Sequence, residues 1–247
     1  MARYRNYIFD LYGTLADILT DESSPRLWRL AAMYYGEHGA QYSGPELKAA
    51  YLRLCETEQA KSPDPLYEIE LRRVFDALYR EKGSEPDARL VEETAVFFRI
   101  SSTKKLRLYP WVNKLLPSIC GQGSRVFLLS NAQACFTRPE LRLLGLDSAF
   151  DAVVLSSEAG VKKPSPLIMR ALTEAAGIDP AESIMVGNDQ RSDIAVARAF
   201  DMDALYIRTE TSGPYEKALA AKYELTDGDY SKLPGLLGVD RQKRKRP

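Results

Sequence analysis

The chain has 247 residues, of which 45% are hydrophobic and 28% are charged, and its 34 basic and 34 acidic side chains give a formal net charge of zero. This length suits one large domain, or a core with a smaller unit, and it is enough to bury a sizeable hydrophobic core. The balanced charge argues against a body that coats nucleic acid or binds a membrane surface.

Local features narrow the class further. No apolar stretch approaches the length of a membrane-spanning helix, and residues 1–10 lack a signal-peptide pattern, so we expect a cytoplasmic protein. Cys55, Cys120 and Cys135 are far apart and form no metal-type pair, which favours buried free thiols in a reducing compartment. The single histidine, His38, is expected on the surface, and mechanisms that need a histidine base are nearly excluded.

The first predicted element is a short buried strand formed by Tyr7, Ile8 and Phe9. Asp10 ends this strand, and a tight Gly-Thr turn follows it. Because an unpaired charge is costly in a core, we expect the Asp10 carboxylate to open into a cleft. There it can serve as a nucleophile, a metal ligand or both. The alternative is an ordinary strand-end aspartate that caps a turn.

Residues 20–100 are predicted to be wholly helical. Helix starts with a proline in the first turn are predicted at Ser24-Pro25, Gly44-Pro45 and Asp64-Pro65. Apolar side chains recur at helical spacing on two faces, which we interpret as the core of a helical bundle. One face carries Tyr67, Leu71, Val74 and Leu78, and the other carries Val91, Ala95 and Phe98.

From about residue 105 onward, short apolar strands alternate with helices. Strands are predicted at residues 125–129, 152–155, 183–186 and 204–207, and helices at residues 112–121, 137–145, 166–176 and 192–200. This alternation predicts an α/β fold with a parallel sheet covered on both faces, to which the strand near residue 7 also belongs.

The helical block is therefore predicted to be an insertion after the first strand. It divides the chain into a core at residues 1–15 and 106–247 and a helical unit at residues 16–105. Residues 16–19 and 101–105 are predicted to be linkers that could act as hinges. Residues 241–247 form a basic run, which we interpret as a solvated chain end rather than an anion-binding arm.

Polar side chains follow several of the predicted strands. Ligands of an open parallel sheet bind outside the carboxyl ends of its strands, so these side chains are expected to meet at one edge. Each of them alone has an ordinary interpretation as a turn residue, a helix cap or a solvated lysine. Their shared position at strand ends favours a joint site, which comprises Asp10, Ser130, Asn131, Lys163, Asp189 and Asp193.

Several carboxylates with one hydroxyl and one ammonium suit phosphoryl transfer. Carboxylates alone would repel a phosphate dianion, and Mg²⁺ is the hard cation that binds few carboxylates while keeping several waters. We expect Asp10 and Asp189 to hold it, with Asp193 as a ligand or an orienting group. Lys163 and Ser130 are expected to contact the phosphoryl oxygens, while Asp10 attacks phosphorus and forms an aspartyl-phosphate that water cleaves.

These residues resemble the four motifs of the haloacid dehalogenase-like hydrolase superfamily across the whole chain. The matching stretches are Asp10-Leu11-Tyr12-Gly13-Thr14-Leu15, Ser130-Asn131, Lys163-Pro164 and the pair Asp189 and Asp193. The resemblance implies a Rossmann-like doubly wound core with an inserted all-helical cap and, in most members, Mg²⁺-dependent phosphatase activity on a small phosphorylated substrate. It also implies catalytic roles for Asp10, Tyr12 and Lys163, substrate contacts by Thr14, Ser130 and Asn131, and a metal contact through the Tyr12 backbone carbonyl.

Tyr12 departs from the pattern of the family's phosphatases. They usually carry a second aspartate at this place, which protonates the leaving oxygen and later activates water. A phenol with an ordinary pKa of about 10 is a poor base at neutral pH, although it can donate a hydrogen bond. A positioned acid–base group is worth about 10²–10⁴-fold in rate, so phosphatase turnover is expected to be slow unless another group replaces the acid.

Two other interpretations stay open. Tyrosine at this place also resembles the metal-independent 2-haloacid dehalogenases, whose halide leaving group needs no proton. The acidic pair Asp189 and Asp193 argues against that activity, because an extra carboxylate near Asp10 would repel an anionic haloacid. Gln41 also stands near the place where those enzymes use an arginine. The third interpretation is a binding or regulatory protein that keeps the metal site but has lost turnover.

Overall fold

Six parallel strands form the central sheet of this computed structural model, which describes residues 3–239. The sheet has the order β5-β4-β1-β6-β7-β8, and every neighbouring pair in it is parallel. A separate two-stranded sheet pairs β2 with β3 in the antiparallel sense. The strands are β1 (Asn6–Phe9), β2 (Ala16–Thr20), β3 (Thr103–Leu108), β4 (Arg125–Ser130), β5 (Ala152–Leu155), β6 (Ser183–Gly187), β7 (Asp203–Ile207) and β8 (Tyr223–Leu225).

Helices flank this sheet and fill the insertion after β2. They are α1 (Pro25–Glu37), α2 (Gly44–Gln59), α3 (Leu71–Arg80), α4 (Ala88–Ser102), α5 (Val112–Cys120), α6 (Ala134–Leu143), α7 (Ser156–Ala159), α8 (Pro166–Ala176), α9 (Ala195–Arg198) and α10 (Leu233–Leu237). A π-helical turn, Gln190–Ile194, leads into α9. Within the described part of the chain, no helix has both the length and the hydropathy that crossing a membrane requires.

Successive side chains of each central strand pack on opposite faces of the sheet. Tyr7 and Phe9 of β1 join the hydrophobic cluster that contains α5 and α10, whereas Ile8 joins the cluster that contains α8 and α9. Both faces are therefore covered, which explains why these strands are nearly continuous apolar runs. The predicted α/β fold with a parallel sheet is confirmed.

The four helices of the insertion enclose a hydrophobic core that is rich in aromatic rings and also includes Cys135 and Phe136 of α6. Five pairs of aromatic rings are in contact there, with ring centroids 5.3 to 6.0 Å apart. They are formed by Trp28, Tyr51, Phe75 and Phe98. The predicted apolar faces of α3 and α4 are buried in this core, with Tyr67 as the exception. The insertion thus has the internal hydrophobic core that a helical bundle needs.

The segments predicted to be linkers are part of regular structure. Residues 16–19 belong to β2, and residues 101–105 complete α4 and begin β3. The two strands pair from Ala16 with Leu108 to Thr20 with Thr103, so the two ends of the insertion lie side by side. Charged side chains in β3 break the apolar pattern that would have identified a strand, because only one of its faces is covered.

The predicted helix start at Asp64-Pro65 is wrong. Pro65 and Leu66 form a turn, residues 68–70 have no regular structure, and α3 begins at Leu71 with Glu70 as its N-cap. The Asp64 side chain accepts a hydrogen bond from the Leu66 backbone N–H, which closes a turn instead of a helix. Tyr67 then pairs with Val161 in an isolated antiparallel bridge.

The cysteine and histidine predictions have mixed outcomes. All three cysteines are free, but Cys120 is exposed and Cys55 is half-buried, so Cys135 alone is a buried thiol. His38 is exposed in the turn after α1, as predicted. The basic run at residues 241–247 lies outside the described residues.

We expect Asp17→Asn to lower the free energy of unfolding by about 1 kcal/mol at pH 7. The Asp17 carboxylate in β2 accepts from Lys105 at 2.7 Å and Arg107 at 3.0 Å in β3, and both cations are partly exposed. The Lys105 hydrogen bond is the largest influence that lowers the pKa of Asp17 in the folded protein. Because the pKa of Asp17 is lower in the folded than in the unfolded protein, the ion pairs stabilise the fold. This stabilisation is complete above the pKa of the unfolded state and is lost as the pH falls through the pKa of the folded state.

Urea unfolding of wild type and Asp17→Asn at pH 7 and at about pH 2.5 checks this, since an unfolded aspartate titrates at about 3.9. The difference between the two proteins should shrink at the lower pH. Glu22→Gln, which changes an exposed carboxylate nearby, serves as the control. An equal difference at both pH values contradicts the assignment.

Candidate active site

The carboxyl ends of neighbouring strands open into one cavity of about 570 Å³. Because β1 lies between β4 and β6, Asp10 after β1 is flanked by Ser130 at the end of β4 and Asp189 after β6. Lys163 comes from the loop between α7 and α8. Seven of the residues predicted for the site line this cavity together: Asp10, Tyr12, Ser130, Asn131, Lys163, Asp189 and Asp193.

The Asp10 carboxylate is 7% exposed and is held from the side of the core. Its Oδ1 accepts hydrogen bonds from Ser130 Oγ at 2.9 Å and from Lys163 Nζ at 2.8 Å. Its Oδ2 receives a longer contact of 3.4 Å from Thr14 Oγ1. Two donors on one oxygen fix the plane of the carboxylate, and Oδ2 remains the less engaged oxygen.

Lys163 is a buried cation between two carboxylates. Its Nζ donates to Asp10 Oδ1 at 2.8 Å, to Asp193 Oδ1 at 2.6 Å and to the Leu129 carbonyl at 2.8 Å, which uses all three of its protons. Burial, the largest influence, lowers the pKa of Lys163, but the two carboxylates outweigh it and the pKa is raised. In this arrangement Lys163 orients carboxylates, and its predicted contact with a phosphoryl group requires that it give up one of these bonds.

Asn131 positions Lys163 through its backbone. Its Oδ1 accepts from the Lys163 N–H at 2.7 Å, and its Nδ2 donates to the Lys163 carbonyl at 3.1 Å. This two-point contact ties the loop after β4 to the loop that carries the lysine. Ser130 at the end of β4 and Lys163 donate to the same Asp10 oxygen, so the relative position of the two segments decides how the carboxylate is held.

Asp193 is buried, and both of its oxygens have partners. Oδ1 accepts from Lys163, and Oδ2 accepts from the Asp189 backbone N–H at 3.0 Å. Gly187 makes room for it, because a Cβ there would lie 2.2 Å from Asp193 Oδ2. Burial is the main cause that raises the pKa of Asp193 to about 6. Of the two predicted roles for Asp193, this geometry favours the orienting group over the metal ligand.

The carboxylates of Asp10, Asp189 and Asp193 were expected to meet at one metal position, and the structure does not bring all three together. Among residues 3–239, no group of three or more His, Cys, Asp or Glu side chains is arranged to hold a metal ion. The physical reason is that Lys163 already occupies Asp193. Asp189 is exposed, and its two oxygens accept from the Arg191 N–H and the Ser192 hydroxyl, both at 2.9 Å. Asp10 Oδ2, Asp189 and backbone carbonyls remain, a small donor set of the kind that Mg²⁺ completes with water.

Thr14 is fully buried and does not line the cavity, so its predicted substrate contact is not seen. Its hydroxyl lies 3.1 Å from Asn188 Oδ1, and Asn188 Nδ2 donates to Thr211 Oγ1 at 3.0 Å. Gly13, with a φ of +80°, lets the turn approach closely, because a Cβ there would lie 2.2 Å from Thr211 Oγ1. Thr14 therefore braces the turn that carries the catalytic candidate Asp10.

The Tyr12 hydroxyl is hydrogen-bonded to a buried ion pair, which Glu140 forms with Arg99. It donates to the Glu140 carboxylate of α6 and lies 2.9 Å from Thr137 Oγ1. Glu140 accepts from Arg99 Nε of α4 at 2.6 Å, and the Arg99 guanidinium lies 5.5 Å from the centre of the Tyr12 ring. Burial, followed by the Glu140 charge, raises the pKa of Tyr12. A phenol held in this way is not available as a general base at neutral pH.

One wall of the cavity was not predicted from the sequence. The loop after β7 contributes Thr211, Gly213, Pro214 and Glu216, and the turn after Asp189 adds Arg191. The same strand-end rule that identified Asp10 applies to β7, and the turn-forming run at residues 209–214 follows it directly. The signal was present in the sequence.

We expect Lys163→Met to lower the free energy of unfolding by about 3–5 kcal/mol, because it leaves Asp10 and Asp193 buried without their cation. Lys162→Met is the matched control, since it removes a neighbouring ammonium and should change stability by less than about 0.5 kcal/mol. Urea unfolding at pH 7 gives both values. A loss below about 1 kcal/mol in Lys163→Met contradicts the structural role of the pair.

Comparison with known proteins gives three kinds of likeness. The sequence profile of the haloacid dehalogenase-like hydrolases matches residues 4–201. A phosphoserine phosphatase of Thermus thermophilus is 32% identical over 135 residues, which are 55% of this chain and 53% of that protein. A glyceraldehyde 3-phosphate phosphatase of Pyrococcus furiosus is 26% identical over 240 residues, which are 97% of this chain and 94% of that protein.

Solved structures share the fold. A 2-haloacid dehalogenase from Pseudomonas syringae pv. Tomato DC3000 superposes with a TM-score of 0.65 and 20% identity, over 95% of this chain and 98% of that one. At this identity the likeness shows the fold alone. The chain spans about half the length of several curated relatives that it matches, between 53% and 58%.

Proposed function

The chain belongs to the haloacid dehalogenase-like hydrolase family, and from this premise we propose that it is a Mg²⁺-dependent phosphatase of a small phosphorylated metabolite. The observation that carries the proposal is a single carboxylate, Asp10, fixed by Ser130 and Lys163 at the base of an acidic cavity. The relatives named as phosphatases of phosphoserine and of glyceraldehyde 3-phosphate support the substrate class.

The charge of the cavity supports the need for a divalent cation. Its lining carries four carboxylates and two cationic groups, an excess of two negative charges. One of the cations, Arg191, is already paired with Glu216, and the other is Lys163 between its two aspartates. A phosphate dianion would be repelled by this lining unless a cation of charge two entered with it.

The residues present fit Mg²⁺ by donor chemistry. Asp10, Asp189 and the Tyr12 backbone carbonyl are the groups that would hold it, while Asp193 orients Lys163 and the Asp189 backbone. When bound, the ion neutralises phosphoryl charge and draws the substrate toward the carboxylate. Water would fill the remaining positions, as is usual for this metal.

The chemistry that we propose for this chain has two displacements at phosphorus. The Asp10 carboxylate forms a bond to phosphorus as the bond from phosphorus to the leaving oxygen breaks, which gives an aspartyl-phosphate and an alkoxide that takes up a proton. Water then forms a bond to phosphorus as the bond from phosphorus to Asp10 breaks, which releases inorganic phosphate and regenerates the Asp10 carboxylate; the proton that the water loses to solvent balances the one that the alkoxide took up. Ser130 and Lys163 keep Asp10 oriented, and their donors stabilise the charge that develops on neighbouring oxygens.

A phosphate-ester panel with Mg²⁺, with and without EDTA, tests this function. We expect phosphate release that depends on Mg²⁺ and falls by at least about 10⁴-fold in Asp10→Asn, since the nucleophile is removed. Asp203→Asn is the matched control, because that carboxylate lies at the opposite end of the sheet with Lys222 and Tyr4. Retained activity in Asp10→Asn refutes the nucleophile, and tight binding of a metal fluoride without any turnover favours the non-catalytic interpretation.

One observation favours the dehalogenase as a second candidate. Tyr12 occupies the place where a phosphatase acid is expected, and its ring lines the cavity. Against this, Gln41 donates to the Gly36 carbonyl and lines a different cavity on the insertion. A haloacid panel in EDTA separates the two, because metal-independent halide release would replace the phosphatase proposal with this one.

We expect Tyr12→Asp to raise kcat on alkyl phosphates by at least about 10-fold, part of the 10²–10⁴-fold that a positioned acid supplies. The same change removes a partner of Glu140 and a buried ring, so the melting temperature should fall. Tyr12→Asn is the matched control, because it has the same size without the acid. A kcat in Tyr12→Asp no higher than in Tyr12→Asn contradicts the missing acid, and a kcat below wild type in both variants means that the tyrosine itself promotes turnover.

A further inference from the structure

A short irregular segment of the insertion, just before α3, packs on the core beside the residues that hold Asp10. This strap segment, residues 66–69, receives a hydrogen bond at the Leu66 carbonyl from the Lys162 N–H at 2.7 Å. It returns one from the Glu68 N–H to the Gly160 carbonyl at 3.1 Å. The backbone immediately before Lys163 is therefore paired with the insertion.

The Glu68 side chain makes the second part of this contact. Its Oε2 accepts from Ser156 Oγ at 2.7 Å, and its Oε1 accepts from Gln133 Nε2 at 3.2 Å. Both donors belong to the core and are neutral, and Ser156 is fully buried. Gln133 also donates to the Ile69 carbonyl at 2.8 Å, so Glu68 lies where the strap segment and the core are joined most densely.

The contact of Glu68 is linked to Asp10 through hydrogen bonds and short stretches of backbone. Ser156 Oγ accepts from the Ala132 N–H at 2.8 Å, and Ala132 lies two residues after Ser130, whose hydroxyl bonds Asp10. On the other side, the loop paired with the strap segment delivers Lys163 to the same Asp10 oxygen. A single segment of the insertion thus braces both loops that determine the orientation of the carboxylate.

We propose that Glu68 is a positioning residue through which the helical insertion fixes the Ser130 and Lys163 loops, so that Asp10 is fully oriented only when the insertion is seated. A carboxylate that accepts two hydrogen bonds from the core can be replaced by few other groups, because both bonds point in fixed directions. The consequence for turnover rests on the proposed phosphatase function. The consequence for loop order does not.

The experiment compares Glu68→Ala, Glu68→Gln and Ser156→Ala with wild type, and Glu81→Ala is the control. Glu81 is an exposed carboxylate of the insertion that pairs with Arg53 away from the core. With p-nitrophenyl phosphate and Mg²⁺, Glu68→Ala should lose about 10- to 100-fold in kcat, the size expected for a hydrogen bond to a charged group, with KM within about twofold. Glu68→Gln keeps one accepting oxygen and should recover most of this loss.

Amide hydrogen exchange gives a readout that does not need turnover. In Glu68→Ala, the Ala132 and Lys162 amides should exchange about 10-fold faster or more, while amides in the centre of β4 stay unchanged. If Glu68→Ala does not fold, Ser156→Ala removes the same bond from the side of the core; because it also removes the acceptor of the Ala132 N–H, its readout is the Lys162 amide. The double variant should lose less than the sum of the two single losses, because the two changes share the Glu68–Ser156 bond.

Unchanged exchange at Ala132 and Lys162, or losses that add in the double variant, would overturn the inference. So would a fall in kcat that follows only the loss of global stability. If wild type releases no phosphate from any ester, the proposed function fails, and the exchange measurements still decide the role of Glu68.

Discussion

One ammonium group organises the site. Lys163 is buried between the nucleophile candidate Asp10 and the orienting Asp193, and its remaining proton bonds a backbone carbonyl of β4. The residue after β1, strand β4 and the π-helical turn after β6 therefore meet at one ammonium group, whose loss would leave carboxylates unpaired away from water. The glycine that ends β6, the amide of Asn131 and the hydroxyl of Ser130 each have a place in the fold because this contact must be accommodated.

The helical insertion contacts the core on both sides of Asp10. Arg99 of the insertion bonds Glu140 of α6, which accepts from Tyr12, and the strap segment bonds Ser156 and the backbone before Lys163. The tyrosine that takes the place of the usual acid is thus an anchoring point between the two parts of the molecule. Tyr12 contacts Glu140 of the core and Arg99 of the insertion, so the residue that lacks the acid group has a structural role.

The fold was largely predictable because its strands are buried on both faces. Such strands are continuous apolar runs that stand out from the helices between them, as at residues 125–130 and 183–187. The small ribbon formed by β2 and β3 was not predicted. Lys105 and Arg107 are partly exposed in β3, and their charges interrupt the apolar pattern that would identify a strand. The helix start at Asp64-Pro65 failed because core backbone groups compete for residues 66–68, and no local signal records a partner so distant in sequence.

The sequence predicted which residues belong to the site better than it predicted what each of them does. Strand ends indicate which polar residues meet, and Asp10, Ser130, Lys163 and Asp189 do line one cavity. Hydrogen-bond partners decide what each group is free to do, and these depend on rotamers that no spacing encodes. For this reason only the structure shows three features of the site. Thr14 is buried, both oxygens of Asp193 accept hydrogen bonds, and Tyr12 contacts Glu140.

The small ribbon has a consequence for how the chain assembles. β1 pairs with β4 across more than a hundred intervening residues, and closing a loop of that length costs conformational entropy. Once Thr20 is paired with Thr103, the insertion is bypassed, and the remaining loop between β1 and β4 is short. An insertion that folds early would thus speed the closure of the parallel sheet, because it brings β1 and β4 close together along the chain.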